Sequence, residues 1–157
     1  MALKGPRETI STDITRTCST AAVAGQILVH KTSGSGVALG DSRSVSEVSA
    51  SSSGKVVTGV IMHKVVDIDE TVRHRNYHNG EMLINEPCNQ MTKGWLVTNI
   101  LVGTPTVGAI AYLSSSGYLT PTVDANGGIV ATPKVGRFDS IKDANGYCKV
   151  LVDVPIV

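Results

Sequence analysis

Aromatic side chains are scarce in this chain: one Trp, one Phe and four Tyr among 157 residues. Platforms that stack single-stranded nucleic acids need more than that. Sugar rings likewise pack on exposed Trp or Tyr, so the same scarcity tells against carbohydrate binding. Charge is also thin, at 17% of residues with a formal net charge of +1, against about a quarter in an ordinary globular protein. Such a balance gives no long-range field to draw nucleic acid or a membrane surface. The three cysteines, Cys18, Cys88 and Cys148, form no CxxC pair. An odd count cannot close into a complete intrachain disulfide framework, so each is read as a small buried residue or free thiol, as in a reducing compartment. No apolar run approaches the ~20 residues of a membrane-spanning helix. The opening "MALKGPRETIS" lacks the apolar centre of a signal peptide, and a cytoplasmically made chain is the expectation.

What fills the gap is Ser, Thr, Val and Gly, a mixture that favours strands and turns and starves helices of their best formers. Residues 1–20 are polar and Thr-rich, with Ile10 and Ile14 set among hydroxyls. They cannot bury much alone and read as an extended arm, ordered against a partner or along an edge strand. The body, residues 21–157, opens with the strand "GQILVH". "GDSRSVSEVSASSSG" follows, a serine-loaded loop with at most a helical turn near Val45 to Ser49. "KVVTGVIMHKVVDID" is a long β run in which Gly59 marks a bulge or close approach. Asn79-Gly80 signals a tight turn, and "EMLINE" is a strand stopped at Pro87.

In "GWLVTNIL", Trp95, Val97 and Asn99 alternate with Leu96, Thr98 and Ile100, and both sides are partly apolar. "AIAYL-SSSG-YLT" reads as a hairpin whose loop needs Gly117 for its backbone angle. The last strand alternates strictly, with Cys148, Val150, Val152 and Val154 on the core face. The expected core holds Ile27, Val29, Val60, Met62, Leu83, Trp95, Val97, Ile110, Phe138, Val150 and Val152. Turn signals every eight to twelve residues or so predict an all-β single domain. Its form is an antiparallel β-sandwich or jelly-roll-like barrel, with the extended N-terminal arm.

Candidate chemistry is thin. His74 and His78 have the spacing of a zinc pair on a helix, but in a strand they lie about 13 Å apart at ~3.3 Å per residue, too far for one ion. A solvated mixed-charge edge is the better reading of Asp67 to Glu81. Asp67, Asp69 and Glu70 lack the apolar pocket that general acid–base work needs. Cys88, in "EPCNQ", carries no nucleophile signature, and "GSGVALG" lacks the lysine and following helix of a phosphate loop. Lys4, Arg7 and Arg16 in the arm, with Arg73 and Arg75, are too interleaved with acids for a nucleic-acid footprint. No catalytic, metal or cofactor residues are assigned.

From Val56 onward the order of features is more telling. "GKVVTGVIMHKV", "YHNGEMLINEPCNQMTKGWLVTNI", "TVGAIAYLSSSGYLTP" and "PKVGRFDSIKDANGYCKVLVDVP", together with the earlier "AVAGQILVHKTSGSG", resemble the cement, or decoration, proteins of tailed bacteriophage capsids. One departure is Ala109, which stands where that pattern often has aspartate. The resemblance implies a structural virion protein, not an enzyme, made in the host cytoplasm and carried on the capsid exterior. Its implied partners are the major capsid protein and further copies of itself, a homotrimer before a dimer, with no nucleic acid, membrane or cofactor. Lys4, Arg7, Ile10, Ile14 and Arg16 of the arm are the candidate contacts. A virion-surface or tail module binding carbohydrate or a receptor is the alternative.

Overall fold

The computed structural model describes residues 3–33, 44–64, 68–69, 74–75, 81–82, 84–123 and 132–154. Within them the protein is all-β. The strands are β1 (Leu3–Cys18), β2 (Ala22–Val23), β3 (Ile27–His30), β4 (Ser44–Glu47), β5 (Val57–Lys64), β6 (Ile68–Asp69) and β7 (His74–Arg75). They continue as β8 (Glu81–Met82), β9 (Glu86–Thr98), β10 (Ile110–Leu113), β11 (Leu119–Thr120), β12 (Lys134–Phe138) and β13 (Cys148–Asp153). One 3-10 turn, Ser115–Gly117, joins β10 to β11.

Strand β9 organises the fold. Along one edge it pairs antiparallel with β1 over nearly its full length, from Thr98 opposite Leu3 to Glu86 opposite Cys18. Its other edge is shared between β5, opposite Cys88 to Met91, and β13, opposite Lys93 to Thr98. In the first half the pairings β9–β5–β3–β4–β1–β9 return to their start and close a five-stranded ring. The closing pair, β1 with β4, runs parallel at Arg16 to Cys18, so the sheet is mixed and not purely antiparallel. In the second half an open sheet runs β1–β9–β13–β12–β10–β11. A single apolar cluster fills both halves: Ile27, Val29, Val60 and Met91 from the ring, with Leu96, Phe138, Val150 and Val152 from the open sheet.

Glycine matters where strands approach. At Gly59 a Cβ would sit 2.9 Å from the Met91 carbonyl oxygen, and the β3–β5 register slips beside it, so the anticipated close approach and bulge both occur there. At Gly94 φ is +146° and a Cβ would run into the Glu8 carbonyl oxygen, so only glycine lets β1 lie flat on β9. Gly117, at φ +72°, makes the β10–β11 hairpin turn as its position suggested.

Several expectations need correction. The serine stretch, expected as a loop, contains the strand β4 at Ser44–Glu47 and stays irregular from Val48 to Gly54: Ser46 points inward, fully buried, sharing hydrogen bonds with Thr58 (3.2 Å) and Gln90 (3.2 Å). A polar string inside the ring gives serine the place usually held by an aliphatic residue. Pro87 does not end a strand. It lies one residue into β9, opposite Thr17, and the chain turns before it, at Asn85 with φ 66°. Trp95, Val97 and Ile110 are not core. In β9 the inward face is Leu96 and Thr98, both fully buried, which leaves Trp95 and Val97 half-buried on the opposite face. Ile110 is 40% exposed because Ala111 and Leu113 take the inward positions of β10. The expected core residue Leu83, the zinc-spaced His78 and the Asn79-Gly80 turn lie outside the described residues.

Candidate interaction surface

Residues 3–18 of the expected arm form β1 and lie along the chain's own β9. What fixes them is a set of side-chain anchors. At the start, the Lys4 ammonium donates to Asp143 (3.2 Å) and sits 4.1 Å from the centre of the Tyr147 ring. Asp143 is ready for it. Backbone N–H groups of Tyr147 (2.8 Å) and Asn145 (2.9 Å) donate to its other oxygen. The Tyr147 bond leads in holding its carboxyl below the ordinary range, with Lys4 adding to the effect.

Midway, the Trp95 indole N–H donates to Glu8 at 2.9 Å, and the Lys149 ammonium lies 4.6 Å from the centre of the Trp95 ring. At the far end, Arg16 donates to Asp13 (3.0 Å) and lies 3.3 Å from His30 Nδ1. Burial pushes the Asp13 carboxyl up, but hydrogen bonds from Thr15 and Arg16 outweigh it and hold the group below its ordinary value. Partial burial and the Arg16 charge lower the pKa of His30. A neutral imidazole can then accept from Arg16 at Nδ1.

Between the anchors, residues Pro6 to Thr12 are exposed, and Arg7, Ile10 and Ile14 point to solvent. The two isoleucines sit where β1 carries one residue more than β9. Ile10 falls between Thr9, opposite Gly94, and Ser11, opposite Lys93. Ile14 falls between Asp13, opposite Gln90, and Arg16, opposite Cys88. A bulge turns its side chain away from the ladder, and Ile10 and Ile14 are accordingly 64% and 53% exposed. Apart from β4 at Arg16 to Cys18, no strand covers the outer edge of β1 among the described residues. The five residues singled out from the sequence therefore divide. Lys4 and Arg16 are engaged within the chain, while Arg7, Ile10 and Ile14 are presented outward.

A second surface had no forecast. Strand registers set Glu8 opposite Trp95, Trp95 opposite Leu151, Leu151 opposite Arg137 and Arg137 opposite Ile110. Directly paired residues share a face, so these five form one line across the outside of the open sheet. The signal was present in β13, where the strict alternation that puts Cys148, Val150 and Val152 on the core face turns Lys149, Leu151 and Asp153 the other way.

Little in the described residues resembles a reaction centre. All three cysteines are buried free thiols. Burial raises the pKa of Cys88 and Cys148, which keeps them protonated and poorly nucleophilic. Among the described residues no three His, Cys, Asp or Glu side chains gather as a metal site. His74 lies in β7, opposite Asp69. No protein-family model matches the chain, and no curated protein sequence does.

Proposed function

We propose that this chain is a structural virion protein that binds the outer surface of a bacteriophage capsid and cements adjacent major capsid subunits. The observation that carries the proposal is the stripe on β1. Two isoleucines are turned outward at bulges on a strand otherwise clothed in hydroxyls, and side-chain anchors hold that strand on a rigid sheet. Rigid presentation of apolar knobs reduces the ordering cost of binding. Each contact is small, and repetition over a shell multiplies it through effective concentration. Pro6 and the bulges blunt the β1 edge against strand addition, so the grip is made by side chains rather than by a shared ladder. The resemblance of the sequence to capsid cement proteins supports the same role. It also supports assembly in the host cytoplasm, a place on the capsid exterior and association between copies.

The test is co-sedimentation of the purified protein with phage heads stripped of their decoration. Binding should saturate, and an Ile10→Asp/Ile14→Asp variant that stays folded should lose it. Wild-type protein that leaves such heads bare, or a variant that decorates them equally, would refute the proposal. A second reading, a virion-surface module for a carbohydrate, is favoured by the half-exposed Trp95. Glycan-array binding abolished by Trp95→Ala, with no affinity for capsids, would install it instead.

A further inference from the structure

We infer that Asn145 is a site of spontaneous deamidation, held in check while Asp143 grips the turn around it, and that its conversion to isoaspartate loosens the first anchor of β1. Asn145 is exposed and is followed by glycine. In such a pair the backbone nitrogen of the glycine is the nucleophile, and its own residue carries no side chain to hinder it. Gly146 stands at φ +81° with nothing within 4 Å of the place a Cβ would take, so the surroundings of that nitrogen's residue are uncrowded. The inference does not depend on capsid binding.

The reaction needs only water and hydroxide. Hydroxide takes the proton from the Gly146 nitrogen, which attacks the side-chain carbonyl carbon of Asn145. A bond forms between that nitrogen and Cγ, the bond from Cγ to Nδ2 breaks, and the amide nitrogen leaves as ammonia after taking a proton from water. Water then opens the cyclic imide. Opening at Cγ gives aspartate. Opening at the backbone carbonyl gives isoaspartate, in which the main chain runs through the side chain and is longer by a carbon. The sum is an amide and a water giving a carboxylic acid and ammonia.

Asp143 opposes this step from several sides. Its backbone carbonyl accepts the Gly146 N–H at 2.9 Å, which ties up the nitrogen that must lose its proton. One oxygen of its carboxylate accepts the N–H groups of Asn145 (2.9 Å) and Tyr147 (2.8 Å), and its own N–H donates to the Tyr147 carbonyl at 2.8 Å. These bonds fix the backbone on both sides of the reacting pair, and freeing the nitrogen requires the turn to open. The other carboxylate oxygen accepts from Lys4 (3.2 Å), whose ammonium lies over the Tyr147 ring. The same side chain thus guards the turn and holds the start of β1. An added backbone carbon between Asp143 and Tyr147 spoils the spacing that lets a single oxygen accept both N–H groups, and Lys4 loses its fixed partner.

The full chain is kept in warm, mildly alkaline buffer, and isoaspartate at residue 145 is followed by peptide mapping, with the same chain in denaturant as reference. The folded wild type should react roughly tenfold or more slower than the denatured chain. Asp143→Ala should recover most of that factor, the size expected when hydrogen bonds to a charged acceptor are lost. Hydrogen exchange at the Gly146 amide of the wild type should be slowed by a similar factor, since both reactions need that N–H freed; this measurement stands even if Asp143→Ala fails to fold. Reacted chains are separated by their added negative charge. Exchange at the start of β1 should be faster in their isoaspartate form than in Asn145→Asp, which carries the charge without the added carbon. Equal rates in folded and denatured wild type overturn the inference, as does protection that survives in a folded Asp143→Ala chain. So do a Gly146 amide that exchanges freely in a slowly reacting chain, and equal β1 exchange in the isoaspartate and Asn145→Asp forms.

Discussion

Replacing Gly94 by alanine tests the attachment of β1 at one atom. At φ +146° an alanine is strained by itself, by about 1–3 kcal/mol. Its Cβ would also run into the Glu8 carbonyl oxygen and lie 2.9 Å from the Met91 sulfur. The sulfur can swing aside, but the backbone carbonyl cannot yield unless β1 lifts from β9. Gly146→Ala supplies the control: its φ is +81° and nothing lies within 4 Å of the added carbon, so it carries strain without collision. We expect Gly146→Ala to cost about 1–2 kcal/mol and Gly94→Ala about 3–5 kcal/mol, the excess being overpacking of about 1–3 kcal/mol. Denaturant unfolding gives both values. The chain has one tryptophan, and its indole is bonded to Glu8, so Trp95 fluorescence reports lifting of β1 before global unfolding. Equal midpoints for the two variants, with an unshifted Trp95 emission, would refute the reasoning.

Three further outcomes follow from the packing and the titrating groups. Phe138, fully buried, should cost about 3–5 kcal/mol on replacement by alanine, while Trp95→Ala should cost clearly less because its ring is only half-buried; unfolding midpoints in the reverse order would place the core on the wrong face. Because the folded pKa of His30 lies below its ordinary value, the unfolded chain binds the proton more tightly. The stability His30 contributes is therefore complete above about pH 6.5 and lost as pH falls through the folded pKa; denaturant midpoints between neutral and acid pH should show this step, and His30→Asn should remove it. With Cys88 and Cys148 buried and their pKa values raised, alkylation at neutral pH should be negligible until denaturant is added, as intact-mass measurement will show.

Where one face of a strand is apolar and the other polar, the sequence was readable. The alternation in β13 placed Cys148, Val150, Val152 and Val154 inside, and all four are buried. It failed where that contrast was absent or inverted. In β9 both faces carry apolar side chains, and nothing local says that Leu96 rather than Trp95 points inward. In β4 the inward residue is a serine, whose burial rests on Thr58 and Gln90, 12 and 44 residues away. The candidate contacts show the same limit. Lys4 reads as a free cation in isolation, but its partner Asp143 is 139 positions along the chain. Ile10 and Ile14 could be picked out by type alone, since hydroxyl neighbours give them no burial. Their bulges come from a register that exists only once β9 is in place.

The closed ring also imposes an order on biosynthesis. Its first strand leaves the ribosome first, yet Leu3 pairs with Thr98 and Cys18 with Glu86. At ~5–20 residues per second, β1 waits roughly 4–20 s for β9 to emerge. The ring therefore closes late and over long sequence separations, which is the slow regime of folding. During that wait Ser, Thr and charged side chains clothe most of β1, and its isoleucines are separated by Ser11, Thr12 and Asp13. The same hydroxyl clothing that surrounds the knobs in the finished sheet keeps the newborn strand dispersed in water until β9 arrives.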